Sequence, residues 1–276
     1  MRVGVVGHVE WIDFVVVERV PAPGDIVTAE ETWGEAAGGG GVAAAQLARL
    51  AGEATLFTAL GGDEPGRRAK RQLERLRIRV HAEWRAQPQR RGFCYLDADG
   101  ERTITLLSAK LRPRRSAPLP WDELAGFDAV YFTGGDADAL RAARAARVLV
   151  ATPRELATLQ EARVELDALV GSGVDPAERY REGDLDPPPR LVALTKGSEG
   201  GFYEPGRGRW EAAPLPAERS DSYGAGDTFA AYLTYALAER RSPQAAVEFA
   251  ARGAAEALTR RGAHGLQPAR LRGSDT

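Results

Sequence analysis

Apolar positions along the chain fall into short runs broken by glycines, prolines and charged stretches, and their period changes from segment to segment. Residues 3–7 are continuously apolar and end in Gly7, the pattern of a buried strand. Residues 11–17 continue as extended chain until Pro21, Pro23 and Gly24 force a turn. Val27, Thr28 and Trp33 favour a further strand over residues 26–33. Gly38, Gly39, Gly40 and Gly41 then lead into a helix over residues 42–50, which Gly52 ends. Residues 54–60 form an apolar strand and 61–63 a loop. Residues 64–76 form an amphipathic helix, with Leu73 and Leu76 on one face.

Between residues 78 and 107 the pattern becomes strand-like on both sides of Asp97-Ala98-Asp99-Gly100, a hairpin signal. This stretch reads as antiparallel. With residues 11–35 it predicts a small β layer on a larger α/β body. The second half alternates again, with strands at 129–133, 147–151, 165–170 and 191–195 and a helix at 137–146. A β pair follows at 200–204 and 210–212, and two helices close the chain at about 225–240 and 243–261. Strands alternating with helices predict a parallel sheet covered on both faces. There is no repeat of fixed period.

Composition narrows the classes. The chain has 276 residues, of which 43% are hydrophobic and 28% charged. That suffices for one large α/β domain or two small ones. A net charge of −2 gives no field that would favour nucleic acid or an anionic membrane. No apolar run approaches the roughly 20 residues that span a bilayer, and the N-terminus reads as a first strand rather than a signal peptide. The single cysteine, Cys94, cannot form an internal disulfide, which fits a reducing cytoplasm. The three histidines (His8, His81 and His264) lack metal-ligand spacing, so no protein metal ligands are expected. A phosphate-binding P-loop is absent, as is a dinucleotide-binding glycine fingerprint after the first strand.

The strongest chemical signal is Asp221-Ser222-Tyr223-Gly224-Ala225-Gly226-Asp227-Thr228-Phe229. Its glycines let the backbone turn sharply and approach a ligand. The helix that follows points free N–H groups back at the loop, an anion site suited to a transferring phosphoryl group. Asp227 there could accept the proton of an attacking hydroxyl. A bare Gly-x-Gly-Asp would equally read as a helix cap.

The whole string resembles the C-terminal signature of the ribokinase (PfkB) family, Asp-Thr-x-Gly-Ala-Gly-Asp, with Ser222 in place of Thr. Gly38 to Ala45, followed by Gly61-Gly62-Asp63-Glu64-Pro65-Gly66, resembles the family's N-terminal signature. Ala43 stands where that signature has Asn. Thr195-Lys196-Gly197-Ser198-Glu199-Gly200 resembles the Thr-x-Gly-x-x-Gly turn beside the nucleotide. The Asn-x-x-Glu motif is degenerate. By chain order it falls at Ser172 and Asp175, with Pro153-Arg154-Glu155 as a second alignment.

The resemblance runs over residues 2–265 and implies a single domain over 1–276. Its fold would be α/β and ribokinase-like: a central, mainly parallel sheet flanked by helices on both faces, with a small β lid from about 11–35 and 78–107. It implies transfer of the ATP γ-phosphoryl group to a hydroxymethyl group of a sugar, with ATP and Mg²⁺ as cofactors and K⁺ as a candidate. Asp227 would be the catalytic base, with Gly224, Ala225 and Gly226 as the anion hole. Thr195, Lys196, Gly197, Gly200, Asp221 and Ser222 would face ATP. Asp13, with Glu10 as its rival, would hold the sugar beside Gly39 and Gly40. A cytoplasmic homodimer through the lid is expected. The alternatives are a nucleoside kinase and a non-catalytic sugar-binding regulatory protein.

Overall fold

The computed structural model describes residues 1–98, 101–205 and 208–265. Strands β1 (Val3–Val6), β2 (Glu10–Val16) and β3 (Glu31–Ala37) are followed by helix α1 (Gly38–Ala51), β4 (Ala54–Gly61) and α2 (Glu64–Arg75). Next come β5 (Ile78–Arg85), β6 (Arg91–Leu96), β7 (Arg102–Leu106), β8 (Ala129–Phe132), α3 (Ala137–Ala143) and β9 (Val148–Ala151). The chain continues through α4 (Leu156–Ala162), β10 (Ala168–Ser172), β11 (Val192–Thr195), β12 (Gly201–Glu204), β13 (Gly208–Trp210), α5 (Ala225–Ala238) and α6 (Pro243–Leu258).

Nine strands form one sheet in the order β13-β12-β11-β10-β9-β8-β1-β4-β5. Its seven strands from β11 to β5 run parallel, and β12 and β13 are antiparallel additions at one edge. One apolar cluster joins the sheet to α1, α5 and α6. A second, on the opposite strand positions, joins it to α3, α4 and Trp121. Helices therefore cover both faces, as the alternating pattern predicts. The chain leaves β1 towards β4 on one side and β8 on the other. That reversal makes the crevice beyond the carboxyl ends of β1 and β8 the place where α/β sheets bind ligands.

The second sheet has four strands in the order β3-β2-β6-β7. Its inner face carries Ile12, Phe14, Val16, Cys94 and Leu96, packed against Ala37, Val42, Tyr223 and Ala263. Burial pushes the Cys94 thiol up to about 12, so it is an inert, packed group.

Three expectations need correction. Residues 78–85 are not part of the lid: β5 pairs in parallel with β4 at the edge of the main sheet. Its one exposed face gives it the alternation of a half-buried antiparallel strand, and period alone cannot separate the two. The lid is also mixed rather than antiparallel, since β2 and β6 run parallel. Residues 26–30 are not strand; Ile26 is fully exposed and pairing begins at Glu31. Asp99 and Gly100 of the expected turn lie outside the described residues, although β6 and β7 pair antiparallel on either side of it. Among the described residues no helix is long and apolar enough to cross a membrane.

The Gly61-to-Gly66 string anchors the lid to the body. Asp63 accepts from Gly66 N at 3.2 Å, capping α2, and from Gln89 N at 3.0 Å. The buried Gln89 side chain accepts from Gly61 N at 3.0 Å and donates to the Val9 carbonyl at 2.7 Å. A Cβ on Gly66 would overlap the Gly61 carbonyl oxygen, a backbone atom held in the sheet. Gly66→Ala should therefore destabilise the protein by about 1–3 kcal/mol or more. Chemical denaturation checks this, and an unchanged midpoint would mean that the two turns are free to separate.

Candidate active site

Helix α5 starts immediately after Gly224, whose left-handed backbone (φ 73°) lets the chain reverse into the helix without a steric penalty. The loop before it is clamped by Asp221. One carboxylate oxygen accepts from Tyr223 N at 2.7 Å and the other from Gly262 N at 2.8 Å. Burial raises the Asp221 carboxyl to about 6, against those bonds. Ser222 presents its carbonyl to Arg102 of the lid at 2.8 Å, and the Arg102 guanidinium lies over the Tyr223 ring. A Cβ on Gly226 would meet nothing within 4 Å, so the first turn of α5 faces open space. The N–H groups of that turn are the ones an α-helix leaves without internal partners.

Asp227 sits in this turn. Burial raises its pKa; Glu178 adds to the rise, while His8, Arg102 and Arg154 oppose it. Across the crevice, α1 begins at Gly38 (φ 77°), and the glycine run forms its first turn rather than a loop before it. Gly40 N donates to the His8 carbonyl at 3.0 Å. A Cβ on Gly39 would stand 2.6 Å from Thr133 Oγ1, 3.0 Å from Asp227 Oδ1 and 3.4 Å from His8 Cε1. Four chain segments thus meet at Gly39: the ends of β1 and β8 and the starts of α1 and α5.

Glu10 borders the same space. It is buried, paired with Arg90 Nε at 2.8 Å and with His8 Nε2 at 3.5 Å. Burial works to raise its carboxyl, but His8, Arg90 and Lys110 outweigh it and hold the group below the usual range. Lys110 reaches over from the segment after β7 and pairs with buried Glu155 at 3.0 Å.

Asp13, the expected sugar ligand, lies elsewhere. It alternates with Ile12 and Phe14, which pack on the Tyr223 side, so it belongs to the opposite face of the lid sheet. There Trp11 Nε1 and Arg91 donate to it at 3.0 and 2.7 Å. Glu10 is the acid that the strand directs into the crevice. A one-residue difference in counting along a strand exchanges its two faces.

On the other side of Asp227, Thr195 ends β11 opposite Ser172 of β10. Lys196 is exposed, and the turn behind it closes through Gly197 (φ 59°) and Gly200 (φ 80°). At the degenerate motif, Ser172 Oγ accepts from Val174 N and Asp175 N, and Asp175 caps the turn Pro176–Glu178. The acid whose charge reaches Asp227 is Glu178. It accepts from Ser172 N and from Arg154 Nε, both at 2.6 Å. Both motif alignments therefore contribute to one cluster: Glu178 from just beyond the first, Arg154 from the second. Thr133 and Glu178 carry no signal in the sequence that would assign them a role, and His8 and Arg154 carry only their place within or beside a motif. Each follows a strand end by a few residues, and only the assembled sheet brings them together.

This is a ribokinase-like fold. The chain aligns with a ribokinase structure from Thermotoga maritima over 98% of its length and 96% of the other, with a TM-score of 0.74 and 20% identity. An adenosine kinase structure from Sinorhizobium meliloti matches over 96% of both chains, with a TM-score of 0.76 and 18% identity. The pfkB family carbohydrate kinase model matches residues 2–172 and 159–270, and the chain belongs to that family. Among its relatives is an ATP-dependent ribose-1-phosphate kinase from Halopiger xanaduensis, 28% identical over 84% of this chain and 83% of that one.

Asp227→Asn separates catalysis from stability. With Asp227 as the expected general base, its loss should lower kcat by about 10²–10⁴-fold. Because burial raises the carboxyl's pKa, its ionised form costs stability, and the cost grows as pH rises above the unfolded-state value of about 3.9. The variant should melt at or above the wild-type temperature at pH 8, with the gain shrinking towards pH 4. Calorimetry across that range, beside steady-state kinetics, checks both halves.

Proposed function

We propose that Asp227 is the base of this carbohydrate kinase and that the acceptor hydroxyl lies between it and Gly39. Asp227 takes the hydroxyl proton, the oxygen's electron pair forms the new O–P bond, and the bond to the bridging oxygen of ATP breaks, releasing ADP. The N–H groups of Gly224, Ala225 and Gly226 stabilise the charge in flight. Thr195, Lys196, Gly197 and Gly200 flank the nucleotide. Asp221 and Ser222 act by holding the loop rather than by touching ATP. The observation that carries this reading is the convergence of Asp227, the open first turn of α5 and the bare backbone of Gly39 and Gly40.

Glu10 takes the acceptor's hydroxyls, since an ionised carboxylate accepts two bonds with charge assistance. Sugars are favoured over nucleosides by the aromatic groups at the seam. Phe14 stacks on Trp33 and meets Tyr223 edge-on, so these rings pack on one another instead of offering a slot for a base.

Among the described residues no three His, Cys, Asp or Glu side chains converge as a metal-ligand set. A Mg²⁺ ion would arrive on the phosphates of ATP and keep mostly water ligands, neutralising phosphate charge. Glu178 is the carboxylate placed to meet that water shell.

The deciding experiment is an acceptor screen with ATP and Mg²⁺ over free sugars, sugar 1-phosphates and nucleosides, following ADP. Turnover with a sugar or sugar phosphate is expected. A preference for nucleosides would transfer the assignment to the nucleoside class. No acceptor-dependent ADP would leave a sugar-binding regulatory protein. With the best acceptor, Glu10→Gln should raise its KM by about tenfold or more while leaving the KM for ATP unchanged. Equal changes in both constants would make Glu10 structural.

The lid also offers an outer edge. Strand β7 is exposed throughout, with Ile104 and Leu106 uncovered. Unpaired edges and exposed apolar side chains favour association. A homodimer through this strand should appear in light scattering and weaken in Ile104→Lys. A wild-type monomer at micromolar concentration would remove the dimer.

A further inference from the structure

A basic cluster extends from Glu10. Arg85 ends β5, Arg90 precedes β6, and Lys110, Arg112 and Arg114 lie in the segment after β7. Three carboxylates are set among them. Glu10 pairs with Arg90, Glu155 with Lys110 and Arg112, and Glu83 with Arg85 and Arg114. The pairs are linked, since the charge of Lys110 also acts on Glu10 and Arg85 donates to the Arg112 carbonyl at 2.8 Å. Five cations thus face three carboxylates, an excess of two positive charges. Arg85, Arg90 and Lys110 are only 15, 13 and 15% exposed, so water and salt screen that excess poorly.

The cluster does not satisfy itself. Arg90 Nε lies 2.8 Å from Glu10 Oε1 but off the line of its N–H bond, so charge holds the pair without a hydrogen bond. Arg85 Nε is a second buried donor without an acceptor among the described residues. An unpaired buried donor on a charged group is costly, and a ligand site is a setting in which proteins retain one.

We propose that the acceptor carries a phosphate monoester, held by Arg90 and Lys110 beside Glu10. This rests on the reading that the acceptor lies against Glu10. The arginines that act on Asp227 are Arg102 and Arg154, whereas Arg90 and Lys110 act on Glu10. The two sets serve two substrates: the first faces the phosphates of ATP, the second the phosphate of the acceptor. A phosphate monoester carries close to two negative charges at pH 7, which matches the excess. A sugar acid brings one, and a free sugar or nucleoside none. The fork of Arg90 suits two phosphate oxygens side by side, and the ammonium of Lys110 suits a third. Glu10 repels the phosphate but keeps its place for hydroxyls, because the cations beyond it outnumber the acids. The hydroxymethyl group at Asp227 and the phosphate at Arg90 are separate substituents of the sugar, so the product is a bisphosphate.

One arm of the test needs no turnover. Calorimetry without ATP compares pentose 1-phosphates and ketohexose 6-phosphates with their unphosphorylated parents and with sugar acids, on the wild type and on Asp227→Asn. A phosphorylated sugar should bind about tenfold or more tightly than its parent to both proteins, and inorganic phosphate should compete with it. A panel in which no phosphorylated member is preferred, or in which a sugar acid is, overturns the proposal. Full turnover by Asp227→Asn would instead overturn the base and leave the phosphate site standing.

The kinetic arm assigns the residues. Arg90→Gln and Lys110→Gln should each raise the KM for the phosphorylated acceptor by about tenfold or more, and the KM for its parent sugar and for ATP by less than about threefold. A structural role would move both acceptors alike, and equal shifts overturn the proposal. Should Arg90→Gln fail to fold, Lys110→Gln still decides it, because Glu155 keeps Arg112 as a partner.

Discussion

The site depends on one close approach of backbone to backbone. The first turn of α1 lies directly against the chain leaving β1, with Gly40 N bonded to the His8 carbonyl at 3.0 Å. A Cβ on Gly40 would stand 2.6 Å from that oxygen and 2.9 Å from Gly7 C. Neither atom can yield, because both belong to chain anchored in the central sheet. Glycine there is a spatial requirement rather than a source of flexibility, and Gly39 beside it is the bare floor on which Asp227, Thr133 and His8 meet.

The approach also shapes the electrostatics. Bringing two helix starts and two strand ends to one point buries several ionisable groups together. Asp227 and Asp221 respond oppositely to Glu10. Both are raised by burial, whereas Glu10 is surrounded by enough positive charge to stay below the usual carboxylate range. Asp221 gives its oxygens to the backbone of two loops, whereas Asp227 Oδ1 faces the bare backbone of Gly39. Two carboxylates six residues apart thus differ in what surrounds them, one closed by backbone donors and one beside the glycine floor.

The lid is joined to this centre at several points. Gln89 ties its base to β4 and to the chain after β1, Arg102 ties its tip to the loop before α5, and Lys110 and Arg112 tie the segment after β7 to Glu155. The chain near Gly262 closes the ring: Arg261 pairs with Glu31 at the start of β3, and Ala263 N donates to Glu35 of the same strand. These contacts place the inner face of the lid sheet against Tyr223, so the lid sheet and the loop before α5 are held to each other.

Sequence alone determined the parts whose signals are local. The alternation of strands and helices and the helix start after Gly224 are each set by neighbours within about ten residues, and each stands where it was expected, whereas α1 begins four residues early, inside its glycine run. The folded chain decided which sheet a strand joined and which way a side chain faced. Residues 78–85 read as lid because a one-sided edge strand has the same period in either sheet. Asp13 read as a ligand by its place in the family pattern, but strand residues alternate faces, and its face is settled by what packs against Ile12 and Phe14. Glu178 carried no local signal at all, and His8 only its place within a motif. Their place beside Asp227 comes from the order β10-β9-β8-β1 in the sheet. Such an order is set by contacts between distant segments, which no short stretch of sequence contains.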